Sequence, residues 1–126
     1  MIPIADSNVL IDWLRGREEA RALVGPAFEE SGVIAASVLS RTELLHGLRP
    51  HERPAFERLA SALDWIPVTA EIADAAGEMA SAFRRSHAMI ETVDYVIGAT
   101  AQTIGAALWT RNVKHFPMFE GLEPPY

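Results

Sequence analysis

A chain of 126 residues is long enough to bury one hydrophobic core and short for two, so we expect a single domain over residues 1–126. Its 49% hydrophobic and 22% charged residues exclude an intrinsically disordered chain. The formal net charge of −6 argues against binding of nucleic acid through a broad basic surface, because such binding draws on many phosphate contacts.

The sequence also bears on where in the cell the protein is located. It carries no cysteine, which excludes disulfides and thiolate metal sites. Asp6 and Asp12 would interrupt the apolar core of a signal peptide. The longest uncharged stretch, residues 95–110, is shorter than the roughly 20 apolar residues that span a bilayer. We therefore expect a cytoplasmic protein that does not enter the membrane.

The spacing of apolar residues predicts strands that alternate with helices. In chain order we expect a strand at 2–5, helices at 9–14 and 18–30, a strand at 33–36, helices at 37–48 and 56–63, a strand at 65–68, helices at 72–83 and 93–104, and a strand at 106–110. Parallel strands need crossover connections, which the helices supply. The predicted fold is a three-layer α/β/α domain with a central, mostly parallel sheet of four or five strands.

Polar residues stand where ligands bind in such sheets, beyond the carboxyl ends of the strands. Asp6 ends the first strand, and Glu43 follows the second by about two helical turns. Asp94 begins the helix that leads into the fourth strand, and Asn112 comes just after that strand. We expect these side chains, from separate segments, to meet at one edge of the sheet.

Each of these residues also has a purely structural explanation. Asp6 can cap the helix that follows it, and Ser40 and Glu43 have the S-x-x-E spacing of a capping box. Asp94 suits the first turn of a helix, where the helix dipole favours an anion, and Asn112 suits a turn. The joint placement of all four favours a common site.

A cluster of carboxylates needs a partner. Two of them about 4 Å apart repel by roughly 4 kcal/mol at an effective dielectric constant of 20. Either some of the acids bind protons or a cation joins them, and ligands that are all oxygen select hard ions such as Mg²⁺ or Mn²⁺. Such ions support phosphoryl chemistry.

Four stretches in order carry a family resemblance: DSNVLID at 6–12, SRTELLHG at 40–47, DYVIGATA at 94–101 and TRNVKHF at 110–116. With these motifs, essentially the whole chain resembles the PIN-domain family and, within it, the VapC toxins of bacterial toxin-antitoxin pairs. The resemblance implies a PIN fold and an Mg²⁺- or Mn²⁺-dependent endoribonuclease that cleaves RNA with metal-activated water. It also implies a VapB-type antitoxin partner and a homodimer.

Carried over by position, the resemblance makes Asp6, Glu43 and Asp94 the metal-binding and catalytic acids, with Asn112 beside them. Many relatives have a further acid where this chain reads His115, so the number of bound metals stays open. Asn112 and Glu91 are the candidates for the missing ligand. His115 is expected to be structural, because hard ions prefer oxygen.

All but one of the eleven basic residues are arginine, whose planar fork grips phosphate. We expect Arg111, next to Asn112, and Arg15, after the first motif, to contact RNA. A solvated surface charge is the alternative for each. Trp13, Trp65 and Trp109 are expected in the core or an interface, although aromatic residues can also stack on bases.

Two other functions are consistent with an acid after the first strand. A haloacid-dehalogenase-like phosphatase needs a second acid two residues further on, where this chain has Asn8. A non-catalytic α/β interaction module would use the acids only as helix caps. No G-x-G-x-x-G or P-loop motif is present, which argues against nucleotide-binding versions of the fold.

Overall fold

The computed structural model describes residues 1–126. Its strands are β1 (Pro3–Ala5), β2 (Ala35–Ser37), β3 (Asp64–Ile66) and β4 (Ala107–Trp109). Its helices are α1 (Ser7–Leu14), α2 (Glu18–Ser31), α3 (Val38–Gly47), α4 (Arg53–Ala62), α5 (Ala70–Phe83) and α6 (Thr92–Ile104). Two 3₁₀ turns lie at Pro50–Glu52 and Val113–His115. None of the helices combines the length and apolar character that a membrane span requires.

The four strands form one sheet in the order β3-β2-β1-β4, and every neighbouring pair is parallel. Ile4, in the middle of β1, pairs with Ala35 on one side and with Leu108 on the other. Pro3 occupies the first position of this central strand, where a missing N–H is tolerated. The predicted parallel α/β sheet is thereby confirmed, with four strands.

The sheet separates two layers of helices. Ala5 and Ala36 pack on one face against α1, α2, α3 and α4, whereas Ile4 and Ala35 pack on the other against α6, on which α5 also packs. Successive side chains of a strand point to opposite faces, so one short strand supplies both cores. The three tryptophans pack, partly buried, against the first of these cores, as expected of core residues.

The structure corrects two strand bounds and one alternative explanation. The second strand, predicted at 33–36, lies at Ala35–Ser37, so Ser37 ends the strand and does not begin the helix. The third strand ends at Ile66, before Pro67, because proline has no N–H for the strand pairing. Ser40 and Glu43 do not form a capping box: Ser37 caps α3 by accepting from the N–H of Leu39 at 3.2 Å. Ser40 is instead buried inside the helix, and its hydroxyl has no hydrogen-bond partner.

Candidate active site

A cavity of about 430 Å³ opens at the carboxyl edge of the sheet. It brings together Asp6, Glu43, Asp94, Asn112 and Arg15, which the sequence placed at one site. The remaining wall is formed by Ser7, Asn8, Ile11, Leu44 and Gly47. Polar groups therefore dominate a hollow to which β1, α1, α3, α6 and the segment after β4 all contribute.

Asp6 is both a helix cap and a site residue. Its Oδ1 accepts from the N–H of Ser7 at 2.9 Å, which caps α1. Its Oδ2 accepts from the hydroxyl of Thr110 at 2.8 Å and from Nδ2 of Asn8 at 3.3 Å. The residue is 5% exposed, so these bonds hold one buried carboxylate in a single orientation at the cavity.

Thr110 and Asn8 are site residues that the sequence reasoning missed. The fully buried hydroxyl of Thr110 also accepts from Nδ2 of Asn8 at 3.2 Å and from the N–H of Asn112 at 3.1 Å. Thr110 thus ties Asp6 to the segment after β4. The signal in the sequence was a lone hydroxyl at the end of the apolar run AALWT, beside Asn112.

We expect Thr110→Val, a substitution of similar shape, to destabilise the fold by about 1–3 kcal/mol, because it removes a donor from the buried Asp6 carboxylate. It should also raise the pKa of Asp6 further, since the Thr110 hydrogen bond lowers that pKa. Chemical denaturation and NMR titration of the carboxyl group measure the two effects.

Thr100→Val is the matched control. Thr100 is equally buried, but its hydroxyl donates only to the carbonyl of Val96 within the same helix, at 2.7 Å. We expect this variant to leave the pKa of Asp6 unchanged. An Asp6 pKa that is the same in both variants would contradict the proposed link between Thr110 and Asp6.

Asp94 lies in the first turn of α6 and has two partners. Its Oδ2 accepts from the N–H of Glu91 at 3.3 Å and lies 3.2 Å from Nδ1 of His115. Glu43 reaches the same cavity from the middle of α3. Where relatives were expected to have a further acid, this chain therefore has an imidazole that contacts Asp94.

The pKa values of Asp6, Glu43 and Asp94 are all raised, first of all because burial penalises the charged form. Repulsion adds to this: Asp94 raises the pKa of Asp6, and both of these acids raise the pKa of Glu43. Glu91 raises the pKa values of Glu43 and Asp94 as well. The acids are thus close enough to disfavour one another's charge, with His115 partly offsetting the effect on Asp94.

The donor set fits a hard divalent cation. The possible ligands are the carboxylate oxygens of three acids and the carbonyl oxygen of one amide, from Asp6, Glu43, Asp94 and Asn112. A bound cation would relieve the mutual repulsion of the acids. The ligand set is not closed, however: no group of three or more His, Cys, Asp or Glu side chains is close enough together to hold a metal ion as it stands.

Arg15 lies in the cavity wall, and its guanidinium forms an ion pair with Glu52. Its Nε and Nη2 donate to the two carboxylate oxygens of Glu52 at 3.0 and 3.4 Å. Glu52 is 7% exposed and also accepts from the N–H of Arg49 at 3.0 Å. The Arg15 guanidinium and that N–H lower the pKa of Glu52 to about 2.

Arg111 does not line the cavity itself. Its backbone N–H donates to Oδ1 of Asn8 at 3.1 Å, and its Nη1 donates to Oδ2 of Asp12 at 3.1 Å. Since Asn8 is a cavity residue, these contacts place Arg111 at the rim.

Comparison with known proteins gives a consistent result. A family model described as PIN domain matches residues 4–117. Ribonuclease VapC19 of Mycobacterium tuberculosis is 45% identical over 123 residues, which cover 98% of this chain and 98% of that protein. Ribonuclease VapC10 of the same organism is also 45% identical over 123 residues, which cover 98% of this chain and 92% of that protein.

A solved structure, a toxin-antitoxin complex from Klebsiella pneumoniae, contains a similar chain. The two chains are 28% identical and superpose with a TM-score of 0.73, over 98% of each. The fold, the order of the motifs and the near full-length relatives agree, and the chain therefore belongs to the PIN-domain family and, within it, to the VapC group.

Proposed function

We propose that this protein is a metal-dependent endoribonuclease and the toxin of a toxin-antitoxin pair. The observation that carries the proposal is the convergence of Asp6, Glu43 and Asp94, all with raised pKa values, on one polar cavity. The 45% identity to two proteins named ribonucleases supports RNA as the substrate. Membership of the PIN-domain family argues against the haloacid-dehalogenase alternative.

Asp6, Glu43 and Asp94 would hold Mg²⁺ or Mn²⁺, with Asn112 as a further oxygen donor or as a group that orients water. When bound, such an ion would activate water, neutralise the scissile phosphate and stabilise the leaving oxygen. Thr110 and Asn8 keep the Asp6 carboxylate in place by hydrogen bonds. Arg15, in the cavity wall, and Arg111, at the rim, would bind the RNA backbone.

We further propose that any second metal ion binds weakly without RNA. Beside Asp94 the chain offers the imidazole of His115, and Glu91 is exposed at the start of α6. Each of these provides less negative charge in the cavity than another buried acid would. Calorimetric titration that detects two tight sites in the absence of RNA would contradict this.

The same proposal extends to assembly. The chain in the Klebsiella pneumoniae structure is part of a toxin-antitoxin complex, which supports a VapB-type antitoxin as the partner here. We propose a homodimer of single-domain chains, acting in the cytoplasm. Co-expression with the product of a short neighbouring gene, followed by size-exclusion chromatography with light scattering, measures the stoichiometry.

The function is tested by incubating the purified protein with total RNA, with Mg²⁺ or Mn²⁺ and with a chelator. Asp6→Ala and Asp94→Ala are purified in parallel as controls. Any cleavage that they show reveals a contaminating ribonuclease. We expect the unmodified protein to cleave RNA when Mg²⁺ or Mn²⁺ is present and not in the chelator. Neither variant should cleave under either condition. Equal cleavage by all three proteins, or no cleavage under any condition, would overturn the proposal and favour a non-catalytic interaction module.

A further inference from the structure

A cluster at the rim of the cavity is not explained by the acids themselves. Oδ2 of Asp12 accepts from three donors: the hydroxyl of Tyr126 at 2.5 Å, Nη1 of Arg111 at 3.1 Å and Nη1 of Arg17 at 3.4 Å. Tyr126 belongs to the irregular segment after the second 3₁₀ turn and reaches α1 across the fold. We call Asp12, Tyr126, Arg17 and Arg111 the rim cluster.

The ring of Tyr126 contacts both arginines of the rim cluster. The guanidinium carbon of Arg17 lies 5.2 Å from the ring centroid, and that of Arg111 lies 5.8 Å from it. Both distances are within the range of cation–π attraction. Tyr126 therefore contributes a hydroxyl to the anchoring carboxylate and an aromatic face to the cations that the carboxylate holds.

The two arginines differ in how much they depend on this arrangement. Arg17 has another partner, because its Nε lies 3.3 Å from the carboxylate of Glu19. The guanidinium of Arg111 has no partners other than Asp12 and Tyr126. Its side chain is 41% exposed, and most of its five N–H groups are free to donate to a phosphate.

We propose that Tyr126 and Asp12 are positioning residues that hold the Arg111 guanidinium at the rim in the orientation that binds an RNA phosphate. This inference rests on the proposed ribonuclease function. A long side chain loses rotamer freedom when it binds, and an arginine already fixed by a carboxylate and a ring loses less. The burial of Tyr126 and its bond to Asp12 raise the pKa of its phenol, so the hydroxyl remains a donor.

The test measures steady-state cleavage of a short single-stranded RNA by the full-length protein. We expect Tyr126→Ala to raise KM by about 3- to 10-fold and to leave kcat within about 2-fold, because substrate binding loses a preorganised contact while the acids are untouched. Tyr126→Phe, which keeps the ring and loses the bond to Asp12, should give a smaller rise in KM. If Tyr126→Ala folds poorly, the KM of Tyr126→Phe provides the test.

A double-mutant cycle separates positioning from a general structural effect. If Tyr126 acts through Arg111, Tyr126→Ala should change KM little when Arg111→Ala is already present. Both single variants should reduce the dependence of KM on salt, since each loses about one phosphate contact. Arg84→Ala, at the end of α5 and away from the cavity, is the charge control and should match the unmodified protein.

The outcomes are distinguishable. If the unmodified protein does not cleave RNA, the proposed function fails. If it cleaves and Tyr126→Ala has an unchanged KM, or if the effects of the two single variants multiply in the double variant, the positioning role of Tyr126 is overturned while the function stands.

Discussion

Asp6→Asn is expected to reduce the single-turnover rate constant of RNA cleavage by at least about 100-fold, since loss even of a residue that only supports a metal ligand costs about 10- to 100-fold. The substitution removes the charge, keeps one oxygen that can accept from the N–H of Ser7, and replaces the oxygen that accepts from Thr110 and Asn8 with an NH₂ group. Asparagine caps helices as well as aspartate does, so α1 should keep its N-terminus. The measurement is single-turnover cleavage at saturating enzyme with Mg²⁺ or Mn²⁺ present.

The stability of Asp6→Asn provides the internal control. Burial raises the pKa of Asp6, so removal of the charge relieves a desolvation cost in the metal-free fold. Loss of the acceptor for Thr110 and Asn8 opposes this gain, and we expect the variant to stay folded with a melting temperature within a few degrees of the unmodified protein. Asp64→Asn, at an exposed acid that begins β3, should cleave like the unmodified protein. An Asp6→Asn variant that retains most of its activity would contradict a catalytic role for this carboxylate.

The metal-free protein should lose stability as the pH rises above the unfolded pKa values of its three site acids. Asp6, Glu43 and Asp94 have folded-state pKa values above their unfolded values of 3.8 for Asp and 4.5 for Glu. Between the unfolded and folded pKa values the native state binds more protons than the unfolded state, so the free energy of unfolding falls as protons are lost. Glu52, with its pKa lowered to about 2, acts in the opposite direction only below about pH 4.5.

Addition of Mg²⁺ or Mn²⁺ at pH 7 should reverse this loss. A cation that binds only the native state, at a free concentration about 100-fold above Kd, stabilises it by about 2.7 kcal/mol, and this raises the melting temperature. Thermal unfolding with and without chelator, at constant ionic strength, measures the effect. Glu120→Gln, at an exposed acid outside the site, should retain the full shift, and a shift that survives equally in Asp94→Asn would place the cation elsewhere.

The fold and the convergence of the acids on one cavity could be predicted from the sequence. Both follow from the spacing of apolar residues and from the topology of a parallel sheet. Apolar spacing distinguishes helices from strands, and crossovers make the strands parallel. Parallel strands end at one edge, which is why Asp6 and Asn112, far apart in the chain, line the same cavity. That reasoning needs no knowledge of any side-chain contact.

What escaped prediction depends on contacts between distant segments. Thr110 reads as part of an apolar strand, and only the pairing of β1 with β4 shows that its hydroxyl faces Asp6. Ser37 and Ser40 both precede helical residues, and the backbone alone decides that Ser37 is the cap. Tyr126 has no periodic pattern around it, so nothing in the sequence indicates that it reaches Asp12.

Calorimetric titration of Mn²⁺ into the metal-free protein and into Asp94→Asn, without RNA, tests most directly whether the converging carboxylates hold a divalent cation. We predict saturable binding to the unmodified protein, with a heat that is lost in the variant. Absence of binding to the unmodified protein, or binding of equal affinity to both, would contradict a metal site at these acids.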